Sequence, residues 1–415
     1  MTLLVCTTIA VAVLYPQSFI STGSYLGNKW IDPLALIAFL MGGAVVTYLV
    51  IHRKDIQAGY VDAAVLAFAM LLVVQDITGP SALVTVKYVV LGLGTYYLTT
   101  LLVVRGERFS RTILLTIVGL TLVTAAYGLI EYFLQENMIF TELIRESVPD
   151  PSGGIHRIGS TLAHPVPFGV YLLQVLPFCA LFLFVSHSSW QRVLAWSAMA
   201  TGALALFFSY SKGSWLVAAV LAGLALIFIL RTRNKKAILP ALMIVAIVIG
   251  ATAIFWQKIV VEIDERSYSS VNGREVAWSG ALEGIQEHPF GVGLFQGSSE
   301  LINHIDPDWY HAWGQLLAVD NYYLSLLLEA GVTGFVVWIG MSVLIFREGI
   351  VAARIPGPSQ SWVLVALAGI GAIYLNSVTV DAFLIWPNYI IFWMTAGMLH
   401  GFSWRSKRVE QPSES

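Results

Sequence analysis

Apolar runs of about twenty residues, each long enough to cross a bilayer as a helix, recur along almost the whole chain, with short polar stretches between them. They fall at roughly 2–20, 32–51, 61–79, 82–104, 112–134, 166–186, 190–210, 214–231, 237–257, 323–346, 361–380 and 385–403, which predicts about twelve membrane-spanning helices. Two polar interruptions are longer than the rest, near 135–165 and 258–322. The expected fold class is therefore all-α and polytopic. It divides into helices one to nine within 1–257, a large loop at 258–322, three further helices within 323–403 and a polar tail at 404–415. The loop itself carries one helix signal. Asn272 with Glu275 three residues on is a capping-box pattern, Trp278, Leu282 and Ile285 form an apolar stripe, and Pro289 follows the end.

Composition sharpens this picture. Of 415 residues, 57% are hydrophobic and only 12% charged, too few charges to cover the surface of a soluble protein of this size. A net charge of −2 gives no field that would draw nucleic acid. Cys6 and Cys179 sit far apart in apolar runs, as buried thiols do. The first run has no basic stretch before it, so it is expected to be retained as a helix rather than cleaved.

Fifteen of the 23 Lys and Arg residues, among them Arg53, Arg105, Arg192, Lys235, Arg347 and Arg405, fall in alternate connections. The positive-inside rule puts those connections and both termini in the cytoplasm, and the two long loops outside. The outer set then holds Lys29, Arg145, Arg157, Lys212, Lys258, Arg266 and Arg274, with Lys87 about one turn inside the fourth span. Arg157, Lys212 and Arg274 each lie beside a helix end. Cations on the side that normally lacks them suit a membrane-anchored anion such as a pyrophosphate. Local pairing or snorkelling to headgroups is the alternative for each one.

Asp320 and Asn321 precede Tyr322 and Tyr323 where the large loop meets the tenth span. A carboxylate at that boundary can act as a general base, or either residue can cap the helix. His311, in an aromatic stretch with Trp309, Tyr310 and Trp313, is a second candidate base or a polar-face histidine; His164 and His156 rank behind it. Asp306-Pro307-Asp308 reads as a turn. No metal, nucleotide or phosphate-loop motif stands out.

These segments together resemble the O-antigen ligase/polymerase superfamily of bacterial membrane glycosyltransferases. HRIGSTLAHPVPFGVYL is similar to that family's Arg-x-x-Gly-Thr segment, and SYSKGSW to its Ser-(Arg/Lys)-Gly-x-Trp turn. GREVAWSGALEGIQEHPFGVGLFQ resembles its Arg…His-Pro-x-Gly-x-Gly stretch, and DNYYLSLLLEAGVTGF its (His/Asp)-Asn-x-Tyr-Leu helix. The resemblance implies a GT-C-like membrane enzyme that moves a glycan from undecaprenyl pyrophosphate to an acceptor hydroxyl, without a metal or other cofactor, outside the bacterial cytoplasmic membrane. Arg157 and Arg274 would grip the pyrophosphate with Lys212, and His164, Asn321 and Tyr323 would line the substrate site. Ligases of the family carry a His where this chain has Asp320, which favours polymerisation of repeat units over ligation to lipid A–core. A transporter would instead show internal symmetry and ionisable groups at mid-membrane; here they gather at one face.

Overall fold

A computed structural model of the chain describes residues 1–14, 33–51, 59–77, 79, 81–139, 156–162, 164–186, 188–232, 273–305, 318–355, 357 and 359–410. Among these there is no strand. The helices are α1 Thr2–Leu14, α2 Pro33–Ile51, α3 Tyr60–Asp76, α4 Ala82–Arg105, α5 Glu107–Leu134, α6 Pro165–Val185, α7 Ser189–Phe208 and α8 Lys212–Thr232. They continue with α9 at 273–287, then α10 Gly297–Leu301, α11 Tyr322–Ala353, α12 Gln360–Asn376 and α13 Trp386–Glu410. Helices stand at eleven of the twelve positions expected to span; the ninth, 237–257, lies outside the described residues. Four of them, α4, α5 from Arg108, α6 and α11, are by themselves long and apolar enough to cross a membrane.

Small residues let these helices approach closely, because nothing but packing and hydrogen bonding drives association in lipid. α13 lies along α4. A Cβ on Gly397 would come within 2.4 Å of the Tyr96 carbonyl, and one on Gly401 within 2.8 Å of Val103. The Thr100 hydroxyl uses that approach to donate to the Gly397 carbonyl at 3.1 Å. Elsewhere in the core Gln174 donates to Asn388 at 3.1 Å, tying α6 to α13.

Two features of α9 and α11 differ from the sequence reading. The face that α9 buries is Ala277 and Ala281, flanked by Trp278 and Ile285, against Leu301, Ile305 and Leu328. Leu282, assigned to the apolar stripe, is 49% exposed. Its capping residue Asn272 lies outside the described residues. α11, which covers the tenth expected span at 323–346, is interrupted at Gly331 (φ 66°, ψ −177°), in the left-handed region that suits a residue without a Cβ.

The interruption is where the PFGVGLF segment docks. Val292 N–H donates to Leu328 O, Gly293 N–H to Glu329 O and Val332 N–H to Pro289 O, each at 3.0 Å. The side chain of Gln75, at the end of α3, donates to the carbonyls of Ala330 (2.7 Å) and Phe290 (3.2 Å). The break in α11 frees backbone groups, and the loop and Gln75 satisfy them. These contacts join the end of α3 and the segment after α9 to the break in α11. His400 of α13 lies between Glu348 of α11 (2.6 Å) and Asp62 of α3 (3.3 Å).

Candidate active site

The segment 156–160 is stitched between α5 and α7. The buried carboxylate of Glu131, near the end of α5, accepts the N–H groups of Gly159 (3.2 Å) and Ser160 (2.7 Å). It also lies 3.2 Å from His156 Nε2. Ile158 N–H donates to Phe208 O at 3.3 Å. This framework aims Arg157 at the tight turn between α7 and α8: its Nε donates to Ser209 O and its Nη2 to Tyr210 O, both at 3.3 Å. That turn is the SYSKG motif, and its exposed Lys212 opens α8.

On the far side of the same turn stands Thr379. A Cβ on Gly213 would lie 2.7 Å from the Thr379 hydroxyl, and Ser214 is within 3.1 Å of Asn376. Arg274, in the first turn of α9, donates from Nη2 to the Thr379 carbonyl at 3.5 Å. Arg157, Lys212 and Arg274, distant in sequence, are therefore each joined to the 209–213 turn either directly or through Thr379. Among the described residues the buried Arg274 Nε has no hydrogen-bond partner; the Asp320 carboxylate lies 3.7 Å from it.

Asp320 takes a left-handed conformation, φ 51°, which costs of order 1–3 kcal/mol for a residue with a Cβ. Asp381 holds that turn. Its carboxylate accepts the backbone N–H groups of Asp320 and Asn321 and the Ser325 hydroxyl at 2.5 Å. Burial first, and the neighbouring Asp320 carboxylate after it, push the Asp381 carboxyl up to about 7 against those hydrogen bonds. Burial also raises Asp320, with Arg274 pulling the other way. Two carboxylates and a guanidinium thus share one corner, with Asp320 still 45% exposed.

Other candidates occupy structural posts. Asn321 caps α11, its Oδ1 accepting from Tyr323 N (3.1 Å) and Leu324 N (3.3 Å), which leaves Asp320 available for other partners. Tyr323 donates its hydroxyl to the Tyr374 carbonyl at 2.8 Å. His164 caps α6, its Nδ1 accepting from Val166 N at 3.3 Å. The surrounding protein and the Arg157 charge press its imidazole below the ordinary histidine range, although the side chain itself is exposed. Lys87 lies over the Trp386 ring, 5.1 Å from its centroid, a cation–π contact. His311, Asp306, Asp308, Trp309, Tyr310 and Trp313 lie outside the described residues.

Sequence reading missed Asp381 and Glu131. Asp381 did leave a signal: it is the only charged residue between Arg354 and Arg405. No curated protein matches the chain. Residues 197–339, which run from α7 to the middle of α11, match the family model described as O-antigen ligase. The resemblance to the O-antigen ligase superfamily, drawn from four sequence segments, is thereby supported by an independent match.

Proposed function

We propose that this chain is a polyprenyl-diphosphate-dependent glycosyltransferase that polymerises lipid-linked repeat units of an O-antigen, capsule or exopolysaccharide. The family match supports a membrane enzyme of O-antigen or polysaccharide assembly with ligase- or polymerase-like transfer chemistry. The observation that carries the finer reading is the convergence of Arg157, Lys212 and Arg274 on the 209–213 turn and Thr379, next to the Asp320–Asp381 pair.

In this reading the chain spans the bacterial cytoplasmic membrane twelve times with both termini in the cytoplasm, and the site faces outward. Arg274 and Arg157, with Lys212, hold the diphosphate of an undecaprenyl-linked glycan, whose tail lies in lipid between helices. Fixed cations neutralise the leaving group as its charge develops, which is the work a metal does in other glycosyl transfers. Asp320 takes the proton of the acceptor hydroxyl. The acceptor oxygen bonds to the anomeric carbon as the carbon–phosphate oxygen bond breaks, and undecaprenyl diphosphate departs with the electron pair. A single displacement inverts the anomeric carbon. Asp381 is a positioning residue, fixing the turn that presents Asp320.

Ligation of a finished glycan to lipid A–core is the second reading, favoured by the description of the matching family. Proteoliposomes containing the purified protein and a fluorescent undecaprenyl-diphosphate-linked repeat unit test the proposal. Lengthened glycans on the lipid carrier support polymerisation, and transfer only when lipid A–core is added supports ligation. Intact movement of the labelled lipid across the bilayer, with no new glycosidic bond, would make the chain a transporter.

A further inference from the structure

The outer loop carries a second constellation, away from the arginines. α9 presents Glu283 and Glu287 four residues apart, and the helical stretch 297–304 presents Glu300 and His304 at the same spacing, so each pair shares one helix face. The two faces meet. Ligand atoms of Glu287, Glu300 and His304 all lie within 4.8 Å of one another. His304 Nε2 is 3.0 Å from Glu300 Oε1, and His288 Nε2 approaches the same oxygen at 3.3 Å.

We propose that this cluster is a zinc-class divalent cation site that clamps the extracytoplasmic loop. Three observations point to it. Donors bound to zinc at about 2.0–2.1 Å in a tetrahedron stand about 3.3 Å apart, close to the 3.0 and 3.3 Å that separate the two imidazole nitrogens from Glu300 Oε1. Glu283 Oε2 lies 4.0 Å from His304 Nδ1, beyond direct hydrogen-bonding distance but on the side of the ring from which an outer carboxylate orients a metal-binding histidine. Finally, no Lys or Arg ion pair joins Glu283, Glu287 or Glu300 among the described residues, and the sequence has neither residue between Arg274 and Arg347. Glu283 and Glu300 have only histidine partners among the described residues, and a divalent cation would bind those nitrogens and carboxylates together. Imidazole nitrogen in the set selects zinc or a similar transition metal over magnesium or calcium.

The site does no chemistry on the glycan. Glu287 is thirteen positions along α9 from Arg274, roughly 20 Å at helical rise. Joining the end of α9 to the 297–304 stretch would fix the helix whose first turn carries Arg274. Binding does not depend on the transferase reading, so each can fail alone.

The test uses the full-length protein in nanodiscs, stripped with chelator, equilibrated with zinc sulfate, desalted and assayed by elemental analysis. The expected result is about one zinc per chain, a tetrahedral ligand-field spectrum when cobalt replaces zinc, and a rise in unfolding temperature with zinc but not with magnesium. Glu287→Gln, at an exposed position that tolerates the change, weakens zinc binding at least about tenfold, and Glu287→Gln with His288→Ala abolishes stoichiometric retention. A wild-type chain that retains no zinc overturns the proposal, as does equal retention by the double variant.

Discussion

Arg274 holds its Nε 3.7 Å from Oδ2 of Asp320, so the cation assigned to the leaving group and the carboxylate assigned to the acceptor form one pair. Arg274 opposes the rise that burial causes in the Asp320 carboxyl. In the proposed reading, a diphosphate entering the site would compete with Asp320 for the guanidinium and leave the carboxylate to the acceptor hydroxyl, coupling carrier binding to base release.

Replacing Arg274 by Ala removes both halves of that coupling. Transfer in proteoliposomes should fall about 10²–10³-fold, while membrane insertion and thermal unfolding stay near wild type because the side chain is a third exposed. Turnover within twofold of wild type would remove Arg274 from the site.

Asp381 gives the reaction an acid limb. Its carboxyl, raised to about 7, loses its charge as pH falls through neutrality, and its grip on the Asp320 and Asn321 N–H groups weakens with it. Rate should rise with pH through about 7 and level off above. Asp381→Asn should flatten that limb and lower the plateau. Asp320→Asn should lower turnover about 10²–10⁴-fold with little loss of carrier binding. An unchanged pH profile in Asp381→Asn would leave it a purely structural residue.

Arg157 is gripped by two backbone carbonyls of the 209–213 turn. Lysine keeps the charge but cannot span both carbonyls from a rigid fork. Arg157→Lys should therefore lose roughly ten- to a hundredfold in turnover, the scale of one or two charged hydrogen bonds. Full activity would mean that charge alone suffices.

Gly331 tests the docking of the PFGVGLF segment. A Cβ there would lie 2.3 Å from the Phe290 carbonyl carbon on a backbone with φ 66°. Gly331→Ala should cost about 1–3 kcal/mol from conformation alone, and more from the clash. It should lower the unfolding temperature in detergent and loosen α9, read as faster proteolysis of the loop. A wild-type melting curve would show that the break in α11 is dispensable.

Much of this was legible in the chain. Apolar runs announce helices because lipid leaves the backbone no other partner, and Arg157, Lys212 and Arg274 stand out as cations where few are expected. The rest depends on contacts that periodicity does not carry. Asp381 lies 61 positions from Asp320 in sequence, and only the packing of α12 and α13 against α11 brings its carboxylate to that turn. The break at Gly331 arises from backbone pairing with a loop some forty residues earlier, which no hydrophobic pattern encodes. Leu282 was assigned to the buried stripe by its helical spacing, yet Ala277 and Ala281 let α9 sit closer to Leu301 and Leu328 on the neighbouring face.

The central claim is that guanidinium groups from two distant segments hold one diphosphate. Native mass spectrometry of the purified protein with undecaprenyl diphosphate reads this directly, with undecaprenyl phosphate as the competitor. The account predicts one retained diphosphate carrier per chain, favoured over the monophosphate, and loss of that preference in both Arg157→Ala and Arg274→Ala. Equal retention of the two lipids, or a preference that survives both substitutions, would contradict it.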